Sequence, residues 1–152
     1  MSVDQLDEMG PIDYVVLEWP GKQPTGEAAP LLLDLVDRGV IRILDIAFMA
    51  KGEDGSVGAI DIAGLDGGNA GFAVFEGAST GLISDEDMHE AAEALAPGTS
   101  AAVLVWENRW AAPVAVALRR SGGQMVASGR LSIQAILAAL EAAEAAEATT
   151  TN

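Results

Sequence analysis

Two stretches of this chain are variants of one another, and that duplication constrains the fold more than anything else in it. Ala28-Ala29-Pro30 answers Ala111-Ala112-Pro113, and Leu31, Leu32 and Leu35 answer Val114, Ala115 and Leu118. Gly39 and Gly122 follow at the same distance from the proline. Proline is tolerated in a first helical turn, where its missing N–H has no acceptor, and glycine stops a helix, so each copy is a short helix with both ends marked. Before each lies an apolar run closed by tryptophan, IDYVVLEW (12–19) and AAVLVW (101–106), and after each lies a second extended run, 41–49 and 124–131. β-branched and aromatic runs of this length predict strands, the first of them mostly buried. Two strand–helix–strand units side by side predict an α+β fold, the ferredoxin-like split βαβ sandwich, with both helices on one face of an antiparallel sheet.

Between the copies lies an insertion, 52–98. Asp54-Gly55 marks a hairpin turn into a strand at Val57–Ile62, and Arg42 and Asp45 are expected near the solvated side of the strand before it. Glycines at 64, 67, 68, 71, 77 and 81 predict a mobile or partner-contacting loop, with a short strand at Phe72–Phe75 as the alternative. Ser84-Asp85-Glu86-Asp87 is an N-cap followed by acidic residues, opening a helix that ends before Pro97-Gly98. Ser132 caps a last helix with Ile133, Ile136, Leu137 and Leu140 on its apolar side. The expected organisation is a flexible leader at 1–10, one domain at 11–140, and a disordered Ala/Glu tail at 141–152.

Charge narrows the partners. With 23 acidic residues against 8 basic ones, the formal charge is −15, which disfavours nucleic acid and anionic membranes. Cysteine is absent, which excludes thiolate nucleophiles, thiolate metal sites and disulfides. The acidic start MSVDQLDEMG is unlike a signal peptide and no apolar run is long enough to span a bilayer, so the expected location is the cytoplasm.

The runs RGVIRILDIAFMAKGEDGSV, TSAAVLVWENRWAAP and RRSGGQMVASGRLS resemble an uncharacterised bacterial domain family of unknown function, over nearly the whole length from Gly10 to Leu140. It is similar in turn to a wider group labelled predicted membrane proteins, with a longer Gly-rich hairpin in mid-domain. The resemblance implies a ferredoxin-like core and no catalytic residues.

The most distinctive chemistry is Trp106-Glu107-Asn108-Arg109-Trp110, which gathers two indoles, a carboxylate, an amide and a guanidinium at a strand–helix junction. Together with Trp19 it is the candidate ligand or partner surface, and the duplication suggests that Glu18 and Trp19 lie beside Glu107 and Trp106. His89, Asp85 and Glu93 share a helix side and form a weak metal candidate, although a lone imidazole suits a solvated face equally well. No cofactor is expected, and no nucleophile–base order or phosphate-binding motif occurs. The expected function is therefore a non-enzymatic, self-associating interaction or regulatory domain, a homo-oligomer or a binder of another protein. One alternative is a small-molecule binder or enzyme with a pocket near Trp106–Trp110. A further alternative is a peripheral membrane or envelope-stress factor using the Gly-rich insert.

Overall fold

The computed structural model describes residues 7–22, 24–68 and 71–150. The chain divides into two units, Met1–Ser121 and Gly122–Asn152. In the first unit the elements run β1 (Ile12–Pro20), α1 (Ala28–Asp37), β2 (Ile41–Lys51), β3 (Val57–Ile60), 3₁₀ helices at Ile62–Gly68 and Phe72–Ala78, α2 (Asp85–Glu93), β4 (Thr99–Asn108), a 3₁₀ turn at Arg109–Ala111, and α3 (Ala112–Arg120). The second unit contains one helix, α4 (Ile133–Thr150). The fold is α+β around a four-stranded antiparallel sheet of order β1-β4-β2-β3.

Directly opposed residues of antiparallel strands share a face. One face carries Ile46, Phe48 and Ala102, packed beneath Ala29, Leu32, Leu33 and Val36 of α1 and Leu65, Phe72 and Phe75 of the insert. The other carries Met49, Ala101 and Val103 beneath Met88, Ala91 and Ala92 of α2 and Leu95. The insert therefore closes the core, and the expectation of a mobile loop or a strand at Phe72–Phe75 is corrected. Phe72 and Phe75 stand three residues apart, one 3₁₀ turn, so both rings reach the same side, and Phe72 lies 5.2 Å from Phe48 between ring centres.

Asp45, expected near solvent, is only 1% exposed. β3 ends at Ile60, opposite Phe48, so the first half of β2 has no strand on that side. The linker ahead of α2 meets it instead. A register shift between Ile43 and Asp45 accompanies the aspartate, whose Oδ1 accepts the N–H groups of Ile46 and Thr80 (2.9 Å each) while Oδ2 accepts that of Ile83 (2.7 Å). The Thr80 hydroxyl donates to the Leu44 carbonyl at 2.7 Å.

α2 forms as its residues dictate. The Ser84 hydroxyl accepts the Asp87 N–H and the Asp87 carboxylate accepts the Ser84 N–H, a reciprocal cap. At the other end Lys51 donates to the carbonyls of Ala92 and Leu95, placing a cation where the helix dipole is negative. The Ser84 backbone N–H and, after it, the Ser84 hydroxyl hold the Asp87 carboxyl below its ordinary 3.8, and the Ser56 hydroxyl and N–H do the same for Asp54 in the β2–β3 turn. A depressed carboxyl supports the fold above its unfolded pKa and ceases to as pH falls through the folded one. Acidification below 3.8 is thus expected to loosen the first turn of α2 and the β2–β3 turn. Amide shifts of Asp87 and Ser56 followed by NMR should report both steps, and Ser84→Ala, which keeps the backbone N–H but removes the hydroxyl, should diminish the first alone.

Three expectations about the duplicated core are corrected. β1 is not mostly buried: it forms a sheet edge, and Ile12, Tyr14, Val16 and Leu17 are exposed. α2, the helix of the insertion, packs on the face opposite α1. In α3, Val114 and Leu118 are exposed rather than inward, and the helix has no buried residue. Residues 124–131 form no strand, since QMVASGRL offers only Met125, Val126 and Leu131 as large apolar side chains and breaks at Gly129.

The expected leader and tail also differ. Residues 1–6 lie outside the described ones, but Met9 is buried and the Gly10 N–H is bonded. The tail expected to be disordered is helical through Thr150, because alanine and glutamate are among the strongest helix formers. No helix among the described residues is long and apolar enough to cross a membrane.

Candidate functional site

The WENRW residues sit at the end of β4 and the start of the 3₁₀ turn, where the strand must hand the chain to α3. Asn108 organises the junction. Its Oδ1 accepts both indole N–H groups, Trp106 at 3.1 Å and Trp110 at 3.3 Å. Its Nδ2 donates to the Pro11 carbonyl (3.1 Å) and to Asp13 Oδ2 (2.8 Å), tying the turn to the start of β1. The Trp110 N–H reaches the Val40 carbonyl at 3.2 Å, which adds the start of β2. One amide side chain thus holds two tryptophans and the start of β1, using both its acceptor and its donors, while the Trp110 main-chain N–H holds the start of β2.

Glu107 is 5% exposed. Its Oε2 accepts the Gly10 N–H at 2.9 Å, and its Oε1 lies 3.1 Å from Arg42 Nε. That pair is an ion pair without a hydrogen bond along Nε–H, so the attraction is electrostatic rather than directional. A shallow cleft of about 420 Å³ opens here, lined by Glu8, Met9, Arg42, Glu107, Arg109 and the start of α3. Two guanidiniums and two carboxylates line it, so no single sign of charge prevails. Arg119, beyond this cleft, donates to the Asp7 and Met9 carbonyls and secures the approach to β1.

Trp19 does not join this cluster, and neither does Glu18. β1 and β4 are antiparallel, so Trp19 pairs with Ser100 while Trp106 pairs with Asp13. Six residues of strand at ~3.4 Å each separate the two tryptophan positions by roughly 20 Å. The repeat correctly relates the strands, but antiparallel pairing sends equivalent ends of the copies to opposite ends of the sheet. Trp19 packs on the core beside α1.

His89, Asp85 and Glu93 are exposed on α2, and the His89 ring lies 2.8 Å from the Asp85 carbonyl one turn earlier. No group of three or more potential metal-binding side chains forms among the described residues.

The larger recess was not signalled by any motif. A groove of about 520 Å³ lies between β1 and α2, with Ile12, Tyr14, Val16, Val103 and Val105 as its floor. Leu82, Ile83 and Ala91 form an apolar wall, and Asp13, Asp87 and Glu90 add acidic groups. Tyr14, 72% exposed, stands at its open side. Groove and edge strand together make β1 the principal apolar surface of the sheet.

A family model described as a family of unknown function, DUF6325, matches residues 8–149. The chain belongs to this family. No curated protein and no solved structure matches it. In DUF6325 terms, the match takes in β1, the WENRW junction, the insert and α4 alike, so these are parts of one family unit rather than additions to it.

Proposed function

We propose that this DUF6325 chain is a non-enzymatic interaction domain that works by self-association, built on a ferredoxin-like core. The strand order β1-β4-β2 supports the core assignment, because a split βαβ sandwich places its first, third and second strands in that order. Its fourth strand would lie beside β1, and residues 124–131, which stand at that point in the sequence, form no strand. The observation that carries the functional reading is the surface of β1: Ile12, Tyr14, Val16 and Leu17 are between 41% and 72% exposed along a sheet edge. Edge strands of this kind are templates for pairing and are ordinarily guarded. By contrast, the Glu107 carboxylate and the Asn108 amide of WENRW are occupied, bonding the Gly10 N–H, the Pro11 carbonyl, Asp13 and both indoles. Light scattering on the eluting protein at micromolar concentration is expected to give a dimer or larger; a monomer would sink the reading.

The cleft lined by Arg42, Arg109, Glu8 and Glu107 favours a second reading, a binder of small polar molecules or an enzyme acting on them. Thermal shifts with a metabolite panel test it: a stabilising compound whose effect disappears in Arg109→Ala supports it, and no shift with any compound counts against it.

A further inference from the structure

We propose that two copies of this chain pair β1 with β1 in antiparallel register about a two-fold axis at Val16, joining two four-stranded sheets into one. This rests on the self-association reading and names its interface. The backbone fixes which groups are available. The Asn108 N–H donates to the Pro11 carbonyl (2.8 Å) and the Gly21 N–H to the Gly98 carbonyl (3.1 Å), one bond just beyond each end of the β1–β4 ladder. In an antiparallel pair such bonds recur at every second residue. Both bonds fall on odd-numbered residues of β1's strand line, so odd residues face β4. Ile12, Tyr14, Val16 and Glu18 turn their N–H and carbonyl groups to the open edge, and Pro20 turns out a carbonyl only.

That edge is lightly guarded. β1 is nine residues long, has an unbroken register with β4, and carries two carboxylates, Asp13 and Glu18, but no Lys or Arg, with proline only at its last position. The opposite edge, β3, is four residues long and includes Gly58. With the axis at Val16, every outward N–H of each strand finds a carbonyl of the other, and only the Ile12 carbonyl, opposite Pro20 of the second copy, goes without. The side chains agree with this register. Val16 meets Val16, Val15 meets Leu17, and Glu18 meets the phenol of Tyr14. Asp13 faces Trp19, so no two carboxylates are opposed although each chain carries a net −15. The axis also sets the Ile12, Tyr14 and Val16 floors of the two grooves side by side, continuing one apolar strip across the joint.

The absence of cysteine makes the test direct. Val16→Cys places one thiol per chain at the axis, where opposed Cα atoms of a hydrogen-bonded pair lie about 5.5 Å apart, within disulfide range. Mild oxidation should give a covalent dimer, while Val74→Cys, exposed on the insert, should not. Light scattering should show a wild-type dimer that tightens with added salt, because like-charged chains repel less when screened. Val16→Lys should weaken it by about tenfold or more, and Val74→Lys should leave it unchanged. A wild-type monomer removes self-association and the interface with it. A dimer unchanged by Val16→Lys and not trapped by Val16→Cys keeps self-association and overturns this interface. A Val16 amide protected from hydrogen exchange in a monomer means the edge is taken within the chain, and overturns it too. If Val16→Lys fails to fold, the cysteine result decides alone.

Discussion

Asp45→Ala is expected to be among the most destabilising single substitutions in this chain, lowering the melting temperature by roughly 10–20 °C. The carboxylate accepts three backbone N–H groups, from Ile46, Thr80 and Ile83, at a position 1% exposed. A buried donor stripped of its acceptor costs about 1–3 kcal/mol. Thr80 is exposed and Ile83 half-buried, so both can recover some hydration, which places the total near ~3–5 kcal/mol, a large share of the ~5–15 kcal/mol that holds a domain together. Asp45→Asn separates the two halves of the effect. Its amide oxygen can replace Oδ1 and keep Ile46 and Thr80 satisfied, but its NH₂ then faces the Ile83 N–H, donor against donor. The asparagine variant should fall between alanine and wild type, with exchange protection lost first at Ile83. Equal melting of Asp45→Ala and wild type would mean that the linker to α2 is held by apolar packing rather than by the carboxylate.

Asp45 also shows what the sequence could and could not reveal. An aspartate within IRILDIAFM is a visible anomaly, because an unpaired carboxylate does not persist in an apolar run, yet two of its three partners lie 35 and 38 residues away and nothing local names them. The duplication predicted β1, β2 and β4 and the helices α1 and α3 that follow β1 and β4, since apolar run length and the Pro and Gly marks are local properties. It could not predict the exposure of β1. IDYVVLEW is apolar on both faces, and such a run reads the same at a sheet edge as at its centre. The WENRW residues were legible as unusual but not as mutual partners. That required Asn108 to be seen bridging Trp106 and Trp110 with one oxygen. The groove between β1 and α2 had no motif at all, because its floor comes from two strands and its wall from a linker and a helix far apart in sequence.

Phe72→Ala is expected to cost about 3–5 kcal/mol, the range for removing a well-packed phenylalanine. Phe72 is 6% exposed and packs its ring 5.2 Å from Phe48 on β2 and 6.3 Å from Phe75, all centre to centre. Glycine-rich composition suggested a mobile segment, and glycine does raise the entropy lost on ordering. The structure uses Gly71 differently: with φ at +74° it makes the left-handed turn from which the 3₁₀ helix Phe72–Ala78 starts. Glycine thus allows a short segment to turn tightly while Leu65, Phe72 and Phe75 fill the face that α1 leaves uncovered. A cavity where the Phe72 ring stood would open between the insert, α1 and β2, so the variant should also lose exchange protection along β2 at Phe48. Val74→Ala, in the same 3₁₀ helix but 60% exposed, should change stability by less than about 0.5 kcal/mol. If instead the two variants melted alike, near wild type, the insert would be a loop resting on a core that is complete without it.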